Sequence, residues 1–220
     1  MIRPRGPRKC PSSATPNRAP QDFIYTPDEL SVMASSIGEF ASSGLLSPRH
    51  GDGFVFGILK QDSVTGRLEL DLERNRELVA LATTSGREEG FRFKCVLHRA
   101  VDDLLTSAGT GAEVRKVMEE VKRCGFDGLL TSGGRGGAVN NVRRLKMVVD
   151  VAEEDGVEVI VGGGVRSGNL GGLAGGLSKD DGLWEGVWFH SSCLRHEGMF
   201  DEQEAEGLAE QIRNMKCCLP

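Results

Sequence analysis

Short runs of consecutive apolar residues alternate along this chain with longer stretches in which apolar residues recur every three or four positions. GFVFGIL (53–59), FRFKCVLH (91–98), DGLLTSGG (127–134), VEVIVGGGV (157–165) and GVWFHSS (186–192) are of the first kind. Such runs predict short strands buried on both faces. The second kind predicts helices. After Thr26, a fitting N-cap with Pro27 at the first helical position, Leu30, Met33, Ile37 and Phe40 share one face. LELDLERNRELVALA (68–82) reads as a surface helix. In GAEVRKVMEEVKRCG (111–125), Val114, Val117, Met118 and Val121 point one way and Gly125 ends the helix. In 139–156, Val142, Leu145, Val148, Val149 and Ala152 point inward. SGNLGGLAGGLSKD (167–180) is a glycine-loaded helix with Ser167 as the expected N-cap, and 201–215 closes the chain with another helix. Five strands, with a stub at 1–5, alternate with helices, which predicts an α/β fold with a parallel sheet and right-handed crossovers. In both layouts of that class, ligands bind at the C-terminal tips of the strands.

Composition narrows the functions. The 220 residues suit a single domain, with residues 6–21 and 42–52 as loop inserts. Formal net charge is −5 and aromatic residues make up 5%, which disfavours a nucleic-acid binder. No apolar run approaches the ~20 residues of a membrane span, and MIRPRGPRKC lacks the apolar core of a secretory signal. Six cysteines, at 10, 95, 124, 193, 217 and 218, form no C-x-x-C pair. A reduced, cytoplasmic setting is expected. The outlier is glycine, 30 residues or about 14%, twice the usual share of roughly 7%.

Chemistry concentrates at the strand tips. Pro4 forces residues 2–5 to be extended, which sets Arg3 and Arg5 on one face about 6.7 Å apart. They suit an anion, or form a solvated basic tail. His98-Arg99 ends a strand. His98 would face the mouth of the sheet as acid, base or ligand, or would serve only packing. Ser132-Gly133-Gly134 and Gly162-Gly163-Gly164 are turns whose backbone amides can approach a phosphate or carboxylate closely. His190, Ser191, Ser192 and Cys193 follow the last strand. His190 and Cys193 pair an imidazole with a thiol, which suits Cu(I) or zinc, although two donors do not complete a site.

The ordered set MIRPR, DF-Y-x-x-DE, GFVFGIL, LHRAVDDL, LLTSGG, VGGGV-x-x-N and FHSS resembles the CutC copper-homeostasis family, collinearly from Met1 to about Cys193. The resemblance implies a triosephosphate-isomerase-type (β/α) barrel of eight strands, a cytoplasmic homo-oligomer, and a link to copper tolerance with Cu(I) as the proposed ligand. It marks Arg3, Arg5, His98, Arg99, Ser132 to Gly134, Gly162 to Gly164 and His190 to Ser192 around the barrel mouth. Leu97 and Val101 stand where the family usually has phenylalanine. The family's first two strand–helix units precede the segment that matches MIRPR. The expectation is therefore an incomplete barrel, whose Met1 falls on an internal methionine of the family pattern. Those units carry family cysteines, so Cu(I) binding here would fall to Cys193, Cys95 and Cys10.

Two functions follow. One is a copper-homeostasis protein that binds or traffics Cu(I), with His190 and Cys193 as candidate metal ligands. The other is a barrel enzyme, or its remnant, acting on a small anionic substrate. There His98 and Arg99 are the catalytic candidates, and Arg3, Arg5, Ser132, Gly133, Gly134, Gly162, Gly163, Gly164, Ser191 and Ser192 hold the anion.

Overall fold

A computed structural model describes residues 1, 2, 4, 23–85, 90–179, 182, 184–195 and 198–216. Its helices and strands run in the order α1 (Pro27–Ser42), β1 (Gly53–Phe56), β2 (Leu59–Gln61), β3 (Leu68–Leu70), α2 (Leu72–Ser85), β4 (Lys94–Leu97), α3 (Val101–Thr106), α4 (Gly111–Cys124), β5 (Gly128–Thr131), α5 (Val142–Asp155), β6 (Glu158–Val161), α6 (Ser167–Leu177), β7 (Val187–Phe189) and α7 (Glu202–Lys216). Five strands form one parallel sheet in the order β1-β4-β5-β6-β7. Spatial order follows chain order with no reversal, so the sheet has no switch point of the doubly wound kind. It is wound in one direction, like the wall of a (β/α) barrel. The expected stub is present at Ile2, which pairs with β1: its N–H donates to the Gly53 carbonyl (2.9 Å), and its carbonyl accepts from Val55 (2.9 Å). Arg3, Arg5 and Cys10 lie outside the described residues, as does the whole insert at 6–21.

Side chains alternate across each strand. Phe54, Phe56, Cys95, Leu97, Leu129, Val159, Val161 and Val187 face the helices and are buried with Met33, Ile37, Val114, Met118, Val121, Leu145 and Val148. The opposite face carries Val55, Val96, Leu130, Ile160 and Trp188, with Leu130, Ile160 and Trp188 in register across β5, β6 and β7. That face would be a barrel's interior. Here it is less covered, and Trp188 is 56% exposed.

Local signals set most helix ends. Thr26 accepts from the Glu29 N–H while Glu29 reaches back to the Thr26 N–H. Thr110 and Glu113 repeat this capping box on α4, which ends at left-handed Gly125. Three expectations need correction. The segment 68–82 is not all helix: Leu68–Leu70 pairs antiparallel with β2, and the helix begins at Leu72. The alternation Leu68, Glu69, Leu70 suits a strand, and buried Asn75 fixes the junction by bonding both backbone groups of Ile58. Secondly, the strand within the run at 91–98 begins only at Lys94. Thirdly, α6 is capped at Arg166, not Ser167: the Arg166 N–H donates to Asn169 Oδ1 (2.9 Å), and Ser167 is already helical.

Candidate functional site

The tips of β4, β6 and β7 enclose a cavity of about 240 Å³. His98 follows β4 on the face of Val96, is 8% exposed and lines this cavity. Its N–H donates to the Phe56 carbonyl (2.7 Å), and its ring lies 5.6 Å from that of Phe23, so the imidazole is held against an aromatic wall.

Arg99 also lines the cavity, but its guanidinium is tied down. Nε donates to Asp102 Oδ2 (2.7 Å), and Nη2 donates to Ser132 Oγ (2.7 Å) and to the Gly136 carbonyl (3.2 Å). Asp102, 5% exposed, is the centre of this network. Its Oδ1 accepts from Thr131 Oγ1 (2.6 Å) and the Ser132 N–H (2.9 Å). The Ser132 hydroxyl lies 2.8 Å from both Asp102 Oδ2 and the Gly134 carbonyl, so its single proton serves one of them at a time. Arg99 is thus a neutralised strut joining the β4 and β5 tips.

The two glycine turns separate in role. Ser132, Gly133 and Gly134 do not line the cavity. Arg144 donates to the Gly133 carbonyl (2.9 Å) from behind, and a Cβ on Gly133 would lie 2.8 Å from Leu145 Cγ. This turn is a buttress, and glycine is needed there for packing. Of the second turn, Gly163 and Gly164 line the cavity with φ of 90° and 86°. Their carbonyls face away, accepting from the Ala138 N–H and from Asn169 Nδ2 (both 2.9 Å). Among the described residues, no backbone or side-chain acceptor takes the N–H of Gly163, Gly164 or Val165. Gly162 lies behind them, where a Cβ would fall 2.8 Å from Leu130.

Arg166 follows directly. Nη1 donates to Ser191 Oγ (3.0 Å) and Nη2 to the Leu194 carbonyl (2.9 Å). Both acceptors are neutral, and no ion pair to Arg166 exists among the described residues. Among the described residues its guanidinium touches no carboxylate, and sequence reading passed over it. The available signal was an arginine between a triple glycine and a helix start. His190, Ser191 and Ser192 complete the lining, which includes no carboxylate among the described residues.

Cys193 is half-buried just beyond, at φ 48°, and does not line the cavity. Among the described residues no three His, Cys, Asp or Glu side chains come together as a metal site. Burial pushes the Cys95 thiol up to about 12, with the Asp127 charge adding to it. Burial likewise pushes Cys124 up to about 11. Both sit in the helix-facing core. Cu(I) needs thiolates that can converge on one point, and these residues do not fit that requirement.

The sequence model of the CutC family matches residues 9–179. A CutC family protein of Chromobacterium violaceum is 30% identical over 174 residues, 79% of this chain and 54% of that protein. Counterparts in Xanthomonas campestris pv. campestris and Vibrio cholerae are 27% and 28% identical, covering 78% and 70% of this chain and 58% and 50% of theirs. The chain thus spans about half the length of the curated relatives it matches. Among solved structures, the tetrameric deoxyribose phosphate aldolase of Aeropyrum pernix superposes with a TM-score of 0.52 at 17% identity, over 88% of this chain and 65% of that one. This is a likeness of fold.

Proposed function

The chain belongs to the CutC family, which implies copper homeostasis at the family level, and from that premise we propose that its own part is to bind a small anion, phosphate or carboxylate, in the cavity at the tips of β4, β6 and β7. The observation that carries this reading is the donor set: among the described residues, the N–H groups of Gly163, Gly164 and Val165 stand without acceptors beside Arg166, whose guanidinium bonds only neutral oxygens there. Backbone amides and a guanidinium lining one recess favour an anion. The volume, below the roughly 300–1,000 Å³ of drug-sized sites, sets the ligand as small.

In this reading the ligand's anionic end lies against 163–166, and Ser191 and Ser192 offer hydroxyls at the rim. Arg99 and Asp102 hold the β4 and β5 tips in place. His98 and His190 are the groups able to move a proton to or from the ligand, and if the chain is an enzyme they are its general acid and base. Cu(I) coordination has weaker support: His190 and Cys193 supply two donors, and Cys95 and Cys124 are core thiols. A cytoplasmic, self-associating protein is part of the same proposal. No helix among the described residues is long and apolar enough to cross a membrane.

Calorimetric titration with inorganic phosphate and with acetate tests the reading, alongside anaerobic Cu(I) titration against a competing chelator. We expect saturable anion binding, weakened at least about tenfold by Arg166→Gln, the loss of one charge-assisted contact pair. Stoichiometric Cu(I) binding that Cys193→Ser abolishes, with no anion binding, would overturn it.

A further inference from the structure

The C-terminal helix bears on this site through its first turn. Glu204 of α7 reaches the start of α6, where Oε1 accepts from the Ser167 N–H (2.6 Å) and Oε2 from the Ser167 hydroxyl (2.9 Å). One turn further along, Gly207 lies flat on the same residue: a Cβ there would stand 3.0 Å from Ser167 Cβ. The start of a helix carries a partial positive charge that any anion nearby can use. Here that charge is already engaged by a carboxylate of the protein itself, on the residue next to Arg166.

We propose that Glu204 is a resident anion that occupies the positive end of α6 and thereby limits how strongly the adjacent 163–166 turn binds its ligand. This rests on the anion reading of the cavity. Arg99 is neutralised by Asp102, so the field at the turn depends on Arg166, on the end of α6 and on the carboxylates that α7 brings. Asp201, the residue before α7, adds another. Its carboxyl is held below the usual range, first by the Glu204 N–H, then by Arg195, with a contribution from Arg166. The start of α7 and the Arg166 cation therefore feel one another. Glu204 both docks α7 and opposes the ligand's charge, so the two effects carry opposite signs for binding.

That opposition makes the role testable. Glu204→Gln keeps the length and leaves an oxygen for Ser167 but removes the charge. In calorimetric titration with inorganic phosphate, the variant is expected to bind about two- to tenfold more tightly, the scale of one charge at a helix end, while melting at a lower temperature. Gly207→Ala disturbs the same docking without changing charge, so it is expected to lower the melting temperature without tightening binding. Unchanged or weaker phosphate binding in Glu204→Gln, with the parent protein still binding, overturns the role of Glu204 and leaves the anion site standing. Equal tightening by Gly207→Ala also overturns it, because loosening of α7 would then be the cause. Binding by neither the parent nor Glu204→Gln overturns both readings. Binding that emerges only in Glu204→Gln supports both.

Discussion

Asp102 accepts from Arg99 Nε, Thr131 Oγ1 and the Ser132 N–H, and shares the Ser132 hydroxyl proton with the Gly134 carbonyl. Alanine at this position would strand a guanidinium and two hydroxyls at the joint between the β4 and β5 tips. The expected loss is about 2–4 kcal/mol in urea denaturation, below the full cost of breaking a buried pair because Arg99 keeps some contact with water. A loss under about 1 kcal/mol would show that water replaces these bonds easily. Strand-tip position marks Arg99 and Ser132 in the sequence but leaves Asp102 unmarked, because the bonds that define it come from a strand about thirty residues later. The role of Arg166 was hidden for the same reason, although its place between a triple glycine and a helix start was visible. Its partners, Ser191 and Leu194, are 25 and 28 residues away. His98 was legible, because period-two alternation alone places it beside Val96 on the cavity face.

At the scale of elements, α6 tests how far glycine excess is a liability. Gly168, Gly172 and Gly175 are exposed, and a Cβ on each would meet nothing within 4 Å. Alanine at each is expected to raise stability by about 0.5–1 kcal/mol, since it restricts the unfolded chain and favours helix. Gly176 differs: a Cβ there would fall 2.7 Å from Val142 Cγ1, so α6 approaches α5 closely at that point. Gly176→Ala is expected to lower the melting temperature while the other three raise it, which calorimetry can follow. A rise for all four would mean that the α5–α6 contact yields easily. Composition could not separate these glycines, because the distinction lies in a neighbouring helix. The hairpin of β2 and β3 escaped for a related reason. Leu68, Leu70 and Leu72 fit a strand spacing, while Leu68 with Leu72 and Leu70 with Leu78 also fit a helix spacing, and only pairing with β2 decides between them.

The molecule as a whole has two unlike sheet edges. Ile2 pairs along β1, whereas the free edge of β7 meets no strand among the described residues. Val187, Trp188 and Phe189 include none of the lysines or prolines that guard an exposed edge. Trp188 stands 56% exposed on the less covered face, in line with Ile160 and Leu130. We expect the chain to self-associate as concentration rises, and Trp188→Lys to reduce that association in sedimentation velocity. A single monomeric species at all concentrations would refute this expectation.

The sequence by itself determined the alternation of strands and helices, the capping of α1 and α4, the placing of chemistry at strand tips, and the family. Each of these is written in short-range spacing or in the order of short motifs. Tertiary structure decided which glycine turn faces the cavity and which supports it, and it made Arg99 a strut paired with Asp102 and Arg166 a cavity cation bonded to neutral oxygens. It also brought Glu204 to the start of α6. A charge is neutral or available only in relation to the groups beside it, and here those groups arrive from strands and helices tens of residues away.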